Sequence, residues 1–166
     1  MSQNNTFTTL RRSAFTAAIA LAMVGCATTP TPVNLADSVA GNPSLSTFNT
    51  LVAQGGLSET LKSGGPFTVF APTNEAFKAV PAATMDDLRK HPEKLKDVLS
   101  YHVAPGKLMA VDIKNNNTKT LNGATLALAK AGDFVTVENA AVVATDLGAT
   151  NGVVHTIDTV LVPPKK

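Results

Sequence analysis

The stretch FTVFAPTNEAF, residues 67–77, decides the fold that the sequence predicts. Its first five residues, 67–71, are rich in β-forming side chains and stand between two prolines, which favours a short buried strand. Thr73 follows, where its hydroxyl can accept a hydrogen bond from the first turn of a helix that runs to Val80. The stretch therefore predicts a buried strand that leads directly into a short helix.

The rest of the first half of the chain predicts helices. Apolar residues from Leu35 to Leu61 fall at the spacing of short amphipathic helices. Thr84 opens a pattern typical of a helix capping box. Pro92 suits the first position of a further helix, which we expect to run to about Tyr101.

In the second half of the chain the spacing of apolar residues changes, and the new spacing predicts strands. Short apolar runs from Leu121 to Val143 are separated by glycine-containing turns, as in antiparallel hairpins. Residues 153–162 form the longest strand candidate. Helices followed by strands, without regular alternation, predict the α+β class.

Composition and charge exclude several classes of function. The chain has 166 residues, with 14 basic and 12 acidic side chains. Arg11 and Arg12 account for the excess, so residues 27–166 carry equal numbers of both signs. A neutral domain lacks the basic face that nucleic acid requires. The single cysteine excludes a disulfide framework within the chain.

The N-terminus resembles a bacterial export signal. Two arginines precede an apolar run of signal-peptide length, and residues 25–27 read Gly-Cys-Ala, which resembles a lipobox. We expect residues 1–26 to act as the signal peptide and Cys26 to be lipidated. Met23 stands where the lipobox pattern prefers leucine, and ordinary cleavage after Ala27 is the alternative.

The remaining chain divides into a linker, one domain and a tail. Residues 27–32 are rich in threonine and proline and predict an extended linker. Residues 33–163 form the expected domain, and residues 164–166 form the tail. The three histidines lack the i, i+4 or i, i+2 spacing that brings two metal ligands together, and no catalytic motif is present in the sequence. We therefore expect neither a metal, a cofactor nor an enzymatic activity.

Three segments together resemble the fasciclin (FAS1) domain. Residues 67–77 resemble its first signature, residues 101–103 its tyrosine–histidine motif, and residues 151–161 its second signature. The resemblance implies a compact α+β wedge, in which two small β-sheets meet at a steep angle and several short helices pack alongside. It also implies a role in cell adhesion or surface binding.

The central motif supplies two candidate binding residues. His102 shares the apolar face of the helix that begins at Pro92, so the alternative is a buried histidine whose ring nitrogens bond backbone groups of the first signature. Tyr101 lies about 100° further round the helix, where we expect partial exposure to solvent. Family members from animals carry an Asp-Ile recognition motif where this sequence has Asp146-Leu147, and the alternative for Asp146 is a solvated turn residue.

Three further motif residues are expected to be structural. Thr73 can cap the helix that follows it, and Asn74 can bridge to a neighbouring loop. His155 falls on one face of the last predicted strand, as a core or sheet-face histidine.

The sequence as a whole predicts a non-enzymatic, exported module of the bacterial cell envelope, anchored through Cys26 or secreted. Its expected partner is a cell-surface or matrix protein or glycan, and we expect a monomer. The alternative is a periplasmic or extracellular protein that binds a small lipid or metabolite in an apolar pocket between helices and sheet.

Overall fold

The computed structural model describes residues 33–164, and its first half is helical. The predicted signal peptide, Cys26 and the linker lie outside the described residues. Six α-helices and one 3-10 turn are present in this range: α1 (Leu35–Ala40), the 3-10 turn (Pro43–Leu45), α2 (Ser46–Gln54), α3 (Ser58–Ser63), α4 (Asn74–Lys78), α5 (Ala82–Lys90) and α6 (Pro92–Tyr101).

The sequence correctly predicts where two of these helices begin. Helix α6 begins at Pro92 and ends at Tyr101, as the sequence predicts. The Thr73 hydroxyl caps α4 by accepting from the Ala76 N–H, although this helix ends two residues before Val80. The prediction of a capping box at Thr84 is wrong, because Pro81 occupies the N-cap position and Thr84 lies within α5.

The described residues contain seven strands: β1 (Phe67–Pro72), β2 (Val103–Pro105), β3 (Asn116–Lys119), β4 (Thr125–Ala131), β5 (Phe134–Val137), β6 (Ala140–Ala149) and β7 (Gly152–Ile157). They follow one hydrogen-bonded order, β2-β1-β7-β6-β5-β4-β3. Strand β1 pairs in parallel with β7 and antiparallel with β2, while the remaining neighbours are antiparallel.

Strand β6 joins the two halves of this arrangement. Ala140 and Ala141 pair with β5, and the residues from Val142 onward pair with β7. Two register shifts interrupt the second pairing. The α+β class is confirmed, and the strand pairings form two groups, β2-β1-β7-β6 and β6-β5-β4-β3, that are continuous because the ten residues of β6 belong to both.

Strand β1 separates two apolar clusters. Val69 and Ala71 pack in the first cluster with the helices, whereas Phe70 packs in the second cluster beneath β4 and β5. Both faces of the strand are covered, which explains its continuous apolar sequence. Among residues 33–164, no helix combines the length and apolar character needed to cross a bilayer.

Candidate functional site

His102 is a structural residue at the C-terminal end of α6. Its side chain is 1% exposed, Nδ1 lies 2.8 Å from the Val98 carbonyl oxygen, and Nε2 accepts a 3.0 Å hydrogen bond from the Leu161 N–H. Because Nε2 accepts, the single proton of the neutral ring belongs on Nδ1, which donates to Val98. Burial lowers the pKa of His102 to about 4.

The backbone of His102 links the motif segments. Its carbonyl accepts a 2.8 Å hydrogen bond from the Phe70 N–H, which ties the end of α6 to β1. Together with the bond from Leu161, these contacts join the three segments on which the family resemblance rests. The predicted burial of His102 is therefore confirmed, but its predicted ring partners are wrong: the ring nitrogens bond Val98 on α6 and Leu161 in the second signature, and only the His102 backbone bonds the first signature.

Tyr101 is buried, so the prediction of partial exposure is wrong. Its side chain is 3% exposed and belongs to the second apolar cluster. The hydroxyl lies 3.2 Å from the Thr125 carbonyl oxygen and 3.3 Å from Glu138 Oε1, and its one proton can go to either. Burial, and then the Glu138 charge, raise the pKa of Tyr101. Strands packed over α6 cover the side of the helix that would otherwise face solvent.

The pair Asp146-Leu147 lies in strand β6 rather than in a turn. Asp146 has a φ of 57° beside a register shift, and its Oδ1 accepts a 2.9 Å hydrogen bond from the Ala110 N–H. Leu147 is half-buried against the first apolar cluster and pairs with Val154. The expectation of a solvated turn residue is therefore wrong, because the carboxylate secures the loop that follows β2.

Asn74 fastens α4 to the start of α2. Its Oδ1 accepts from the Thr47 N–H at 3.0 Å and from Ser46 Oγ at 3.2 Å, and its Nδ2 donates to the Pro43 carbonyl at 2.9 Å. The predicted structural role of Asn74 is confirmed, although its partners lie in the 3-10 turn and at the start of α2 rather than in a loop.

His155 is fully buried on β7. Its Nδ1 accepts from the Asp146 N–H at 3.3 Å, so Nε2 carries the proton and donates to the Leu108 carbonyl at 2.7 Å. The ring stacks on Phe70, with 5.7 Å between ring centroids. Burial lowers the pKa of His155, which keeps the ring neutral.

The four predicted binding residues form no common exposed site. Tyr101 and His102 are buried, while Asp146 and Leu147 support the sheet from within β6. No group of three histidine, cysteine, aspartate or glutamate side chains suited to a metal ion occurs in the described part of the chain. Function at the surface must therefore use other residues.

The sequence missed an exposed apolar face on strands β4 to β6. We call it the outer sheet face, and it consists of exposed Ala127, Ala129, Phe134, Ala141 and Val143 with half-buried Thr136. Phe134 is 81% exposed and Val143 is 58% exposed. Alternation along β5 indicates that Phe134 and Val135 face opposite sides, but it leaves open which side is covered.

Two of the grooves in the described part of the chain involve helices α5 and α2 or α6. An apolar groove of about 450 Å³ is formed by α5, α6 and the C-terminal segment, with Leu88, Val98 and Val162 in its lining. A polar groove of about 290 Å³ lies between α2 and α5, with Arg89 on one side.

The fold and the buried contacts among the three motif segments define a FAS1-type domain. The sequence matches the Fasciclin domain family over residues 43–163, and the chain belongs to this family. A solved structure, the FAS1 domain pair of the insect cell adhesion molecule Fasciclin I, superposes with a TM-score of 0.63 at 26% identity. The superposition covers 76% of this chain and 47% of that chain.

Curated relatives come from bacteria and animals. The chain is 40% identical over 145 residues to protein sll1483 of Synechocystis, a match that covers 86% of this chain and 81% of that protein. It is 39% identical to the cell surface glycolipoprotein MPB83 of Mycobacterium bovis, covering 78% of this chain and 60% of the relative. It is also 39% identical to the pig transforming growth factor-beta-induced protein ig-h3, covering 82% of this chain but only 20% of that protein.

Proposed function

We propose that this protein is a non-enzymatic adhesion module of the bacterial cell envelope, anchored through lipidated Cys26. Two observations support the exported location: the signal-like N-terminus, and the relative named as a cell surface glycolipoprotein. The likeness to a domain pair of a cell adhesion molecule supports the class of activity. The protein acts as a monomer at the membrane surface.

The outer sheet face carries this proposal. It combines one aromatic and one branched apolar side chain with small alanines, and none of its six residues is charged. Apolar residues grouped in this way on a soluble domain mark interaction surfaces. We therefore assign the face to a protein partner on another cell or in the matrix, with Phe134 as the side chain that enters a pocket on the partner.

The anchor sets how far the domain stands from its membrane. Seven chain steps separate Cys26 from Val33, and extended chain spans at most about 3.6 Å per residue, which gives about 25 Å. The domain would then remain close to the bilayer while its exposed face meets a partner.

Binding to cells tests the surface. Purified protein would be titrated on intact cells of its own species and on candidate host surfaces, beside a Phe134→Ala variant and a Val111→Ala control. Val111 is also highly exposed, at 76%, but lies outside the outer sheet face. We expect Phe134→Ala to weaken saturable binding by about tenfold or more and the control to leave it unchanged. Equal binding by all three proteins would contradict the assignment.

Membrane fractionation tests the anchor separately. The Cys26→Ser protein should leave the membrane fraction, because it lacks the thiol to which lipid is attached. Full retention of this variant in the membrane would contradict lipidation at Cys26 and leave the binding surface untouched.

The apolar groove favours a second candidate function, the binding of a small lipid or metabolite. Its volume of about 450 Å³ falls within the range of small-molecule sites, about 300–1,000 Å³. A ligand selective for the folded protein raises the melting temperature. Specific thermal stabilisation by a lipid or metabolite, without cell binding, would favour this function over adhesion.

A further inference from the structure

The polar groove between α2 and α5 is lined mainly by polar side chains. Helix α2 contributes a row of hydroxyl and amide side chains, and α5 contributes one arginine. The lining residues are Ser46, Thr47, Thr50, Leu51, Gln54 and Arg89. Only Leu51 is apolar, and no carboxylate belongs to the lining.

Arg89 has no acidic partner among residues 33–164. None of the ion pairs formed within that range includes the Arg89 guanidinium. The nearby carboxylate of Asp87 is already engaged, at 2.9 Å from Lys94 Nζ and 3.3 Å from a ring nitrogen of His91. Arg89 therefore presents a planar set of N–H donors, the geometry that binds a carboxylate through two hydrogen bonds.

The opposite wall offers acceptors in fixed positions. Ser46 Oγ donates its proton to Asn74 Oδ1 at 3.2 Å, and Thr50 Oγ1 donates to the Ser46 carbonyl at 2.9 Å. Because each hydroxyl proton is already used in a hydrogen bond within the protein, both hydroxyl oxygens keep lone pairs that can accept protons from a ligand. Gln54 adds an amide that can donate or accept.

We propose that this groove binds an acidic saccharide. The sugar carboxylate pairs with Arg89, and sugar hydroxyls donate to the oxygens of Ser46 and Thr50. A volume of about 290 Å³ suits a single sugar residue or the end of a chain, at the small end of known ligand sites. The site lies outside the outer sheet face, so either proposal can fail while the other stands.

A titration with three defined probes tests the proposal. Glucuronate supplies the carboxylate and the hydroxyls, glucose supplies hydroxyls alone, and acetate supplies the carboxylate alone. Binding to the purified protein would be followed by calorimetry or by nuclear magnetic resonance. We expect glucuronate to bind at least about tenfold more tightly than either other probe, since only glucuronate meets both walls.

Matched variants locate the site. Arg89→Gln removes the guanidinium from an exposed position, and Lys90→Gln removes one positive charge from the next residue, which is not part of the lining. We expect Arg89→Gln to weaken glucuronate binding about tenfold or more, and Lys90→Gln to weaken it less than about twofold. Thr50→Val should weaken glucuronate binding but leave the binding of acetate unchanged, because acetate has no hydroxyl to donate.

Four results would overturn the proposal. The first is no glucuronate binding up to about 50 mM, an affinity far below that of useful sites. The second is equal binding of acetate and glucuronate, the third is equal binding of glucose and glucuronate, and the fourth is equal losses in the Arg89 and Lys90 variants. The second result would indicate a simple anion site, and the last would indicate non-specific charge attraction.

Discussion

Acid should destabilise this domain through His102. The pKa of this buried ring is about 4, against an ordinary value of 6.5. Between these two pH values His102 is protonated in the unfolded chain but neutral in the folded chain, so the free energy of unfolding rises with pH. The contribution of His102 is complete above about pH 6.5 and is lost as the pH falls toward 4. The hydrogen-bond geometry supports this direction, because a proton on Nε2 would point at the Leu161 N–H and bring two donors face to face.

The size of the effect follows from the two pKa values. One pKa unit corresponds to about 1.36 kcal/mol, so the full difference corresponds to about 3 kcal/mol. Roughly 2 kcal/mol of this is lost between pH 7 and pH 4.5. Burial also lowers the pKa of His155, so the contribution of His102 requires a variant that isolates it.

His102→Gln is the suitable variant. A glutamine amide can accept from Leu161 and donate to Val98 without titrating. We expect it to cost about 1–2 kcal/mol at pH 7, through less favourable hydrogen-bond geometry. Urea unfolding of both proteins at pH 7 and pH 4.5 gives the comparison, in which the variant should lose about 2 kcal/mol less than the parent. Equal losses in both proteins would refute the assignment of His102 as a buried neutral ring.

Three other substitutions probe hydrogen bonds made by the family motifs, each measured by urea unfolding at pH 7. Asn74→Ala should lower the free energy of unfolding by about 2 kcal/mol, because three hydrogen bonds are lost. The control variant Asn49→Ala, on α2, should lower it by less than about 0.5 kcal/mol. Thr73→Ala should cost about 1 kcal/mol through the lost helix cap, and full stability would contradict the capping role. Tyr101→Phe should cost about 1 kcal/mol, since only the hydroxyl contacts disappear; no change would indicate that these contacts are made equally well by water.

Local chemistry explains what the sequence could predict of the fold. Pro92 fixes the start of α6, and Thr73 caps α4 by a bond that spans three residues. The α+β class also follows, because hydrophobic periodicity changes near the middle of the chain. By contrast, the end of the last strand falls at Ile157 rather than Val162, since pairing with β1 and β6 stops there.

Contacts between distant segments explain what the sequence could not predict of the site. A helical wheel leaves Tyr101 facing solvent, and only the strands packed on α6 reveal that it is covered. Asp146 fits a turn by composition, and the register shifts in β6 place it in a strand instead. Arg89 and the hydroxyls of α2 are far apart in sequence, so nothing local indicates that they share a groove.

Cell binding by two variants tests the central claim most directly, that the family motif is buried structure and the outer sheet face makes the contacts. Tyr101→Phe changes the motif at modest cost to stability, and Phe134→Ala changes the exposed face. With both proteins folded, the account predicts unchanged saturable binding for Tyr101→Phe and a loss of about tenfold or more for Phe134→Ala. Loss of binding by Tyr101→Phe, with full binding by Phe134→Ala, would contradict it.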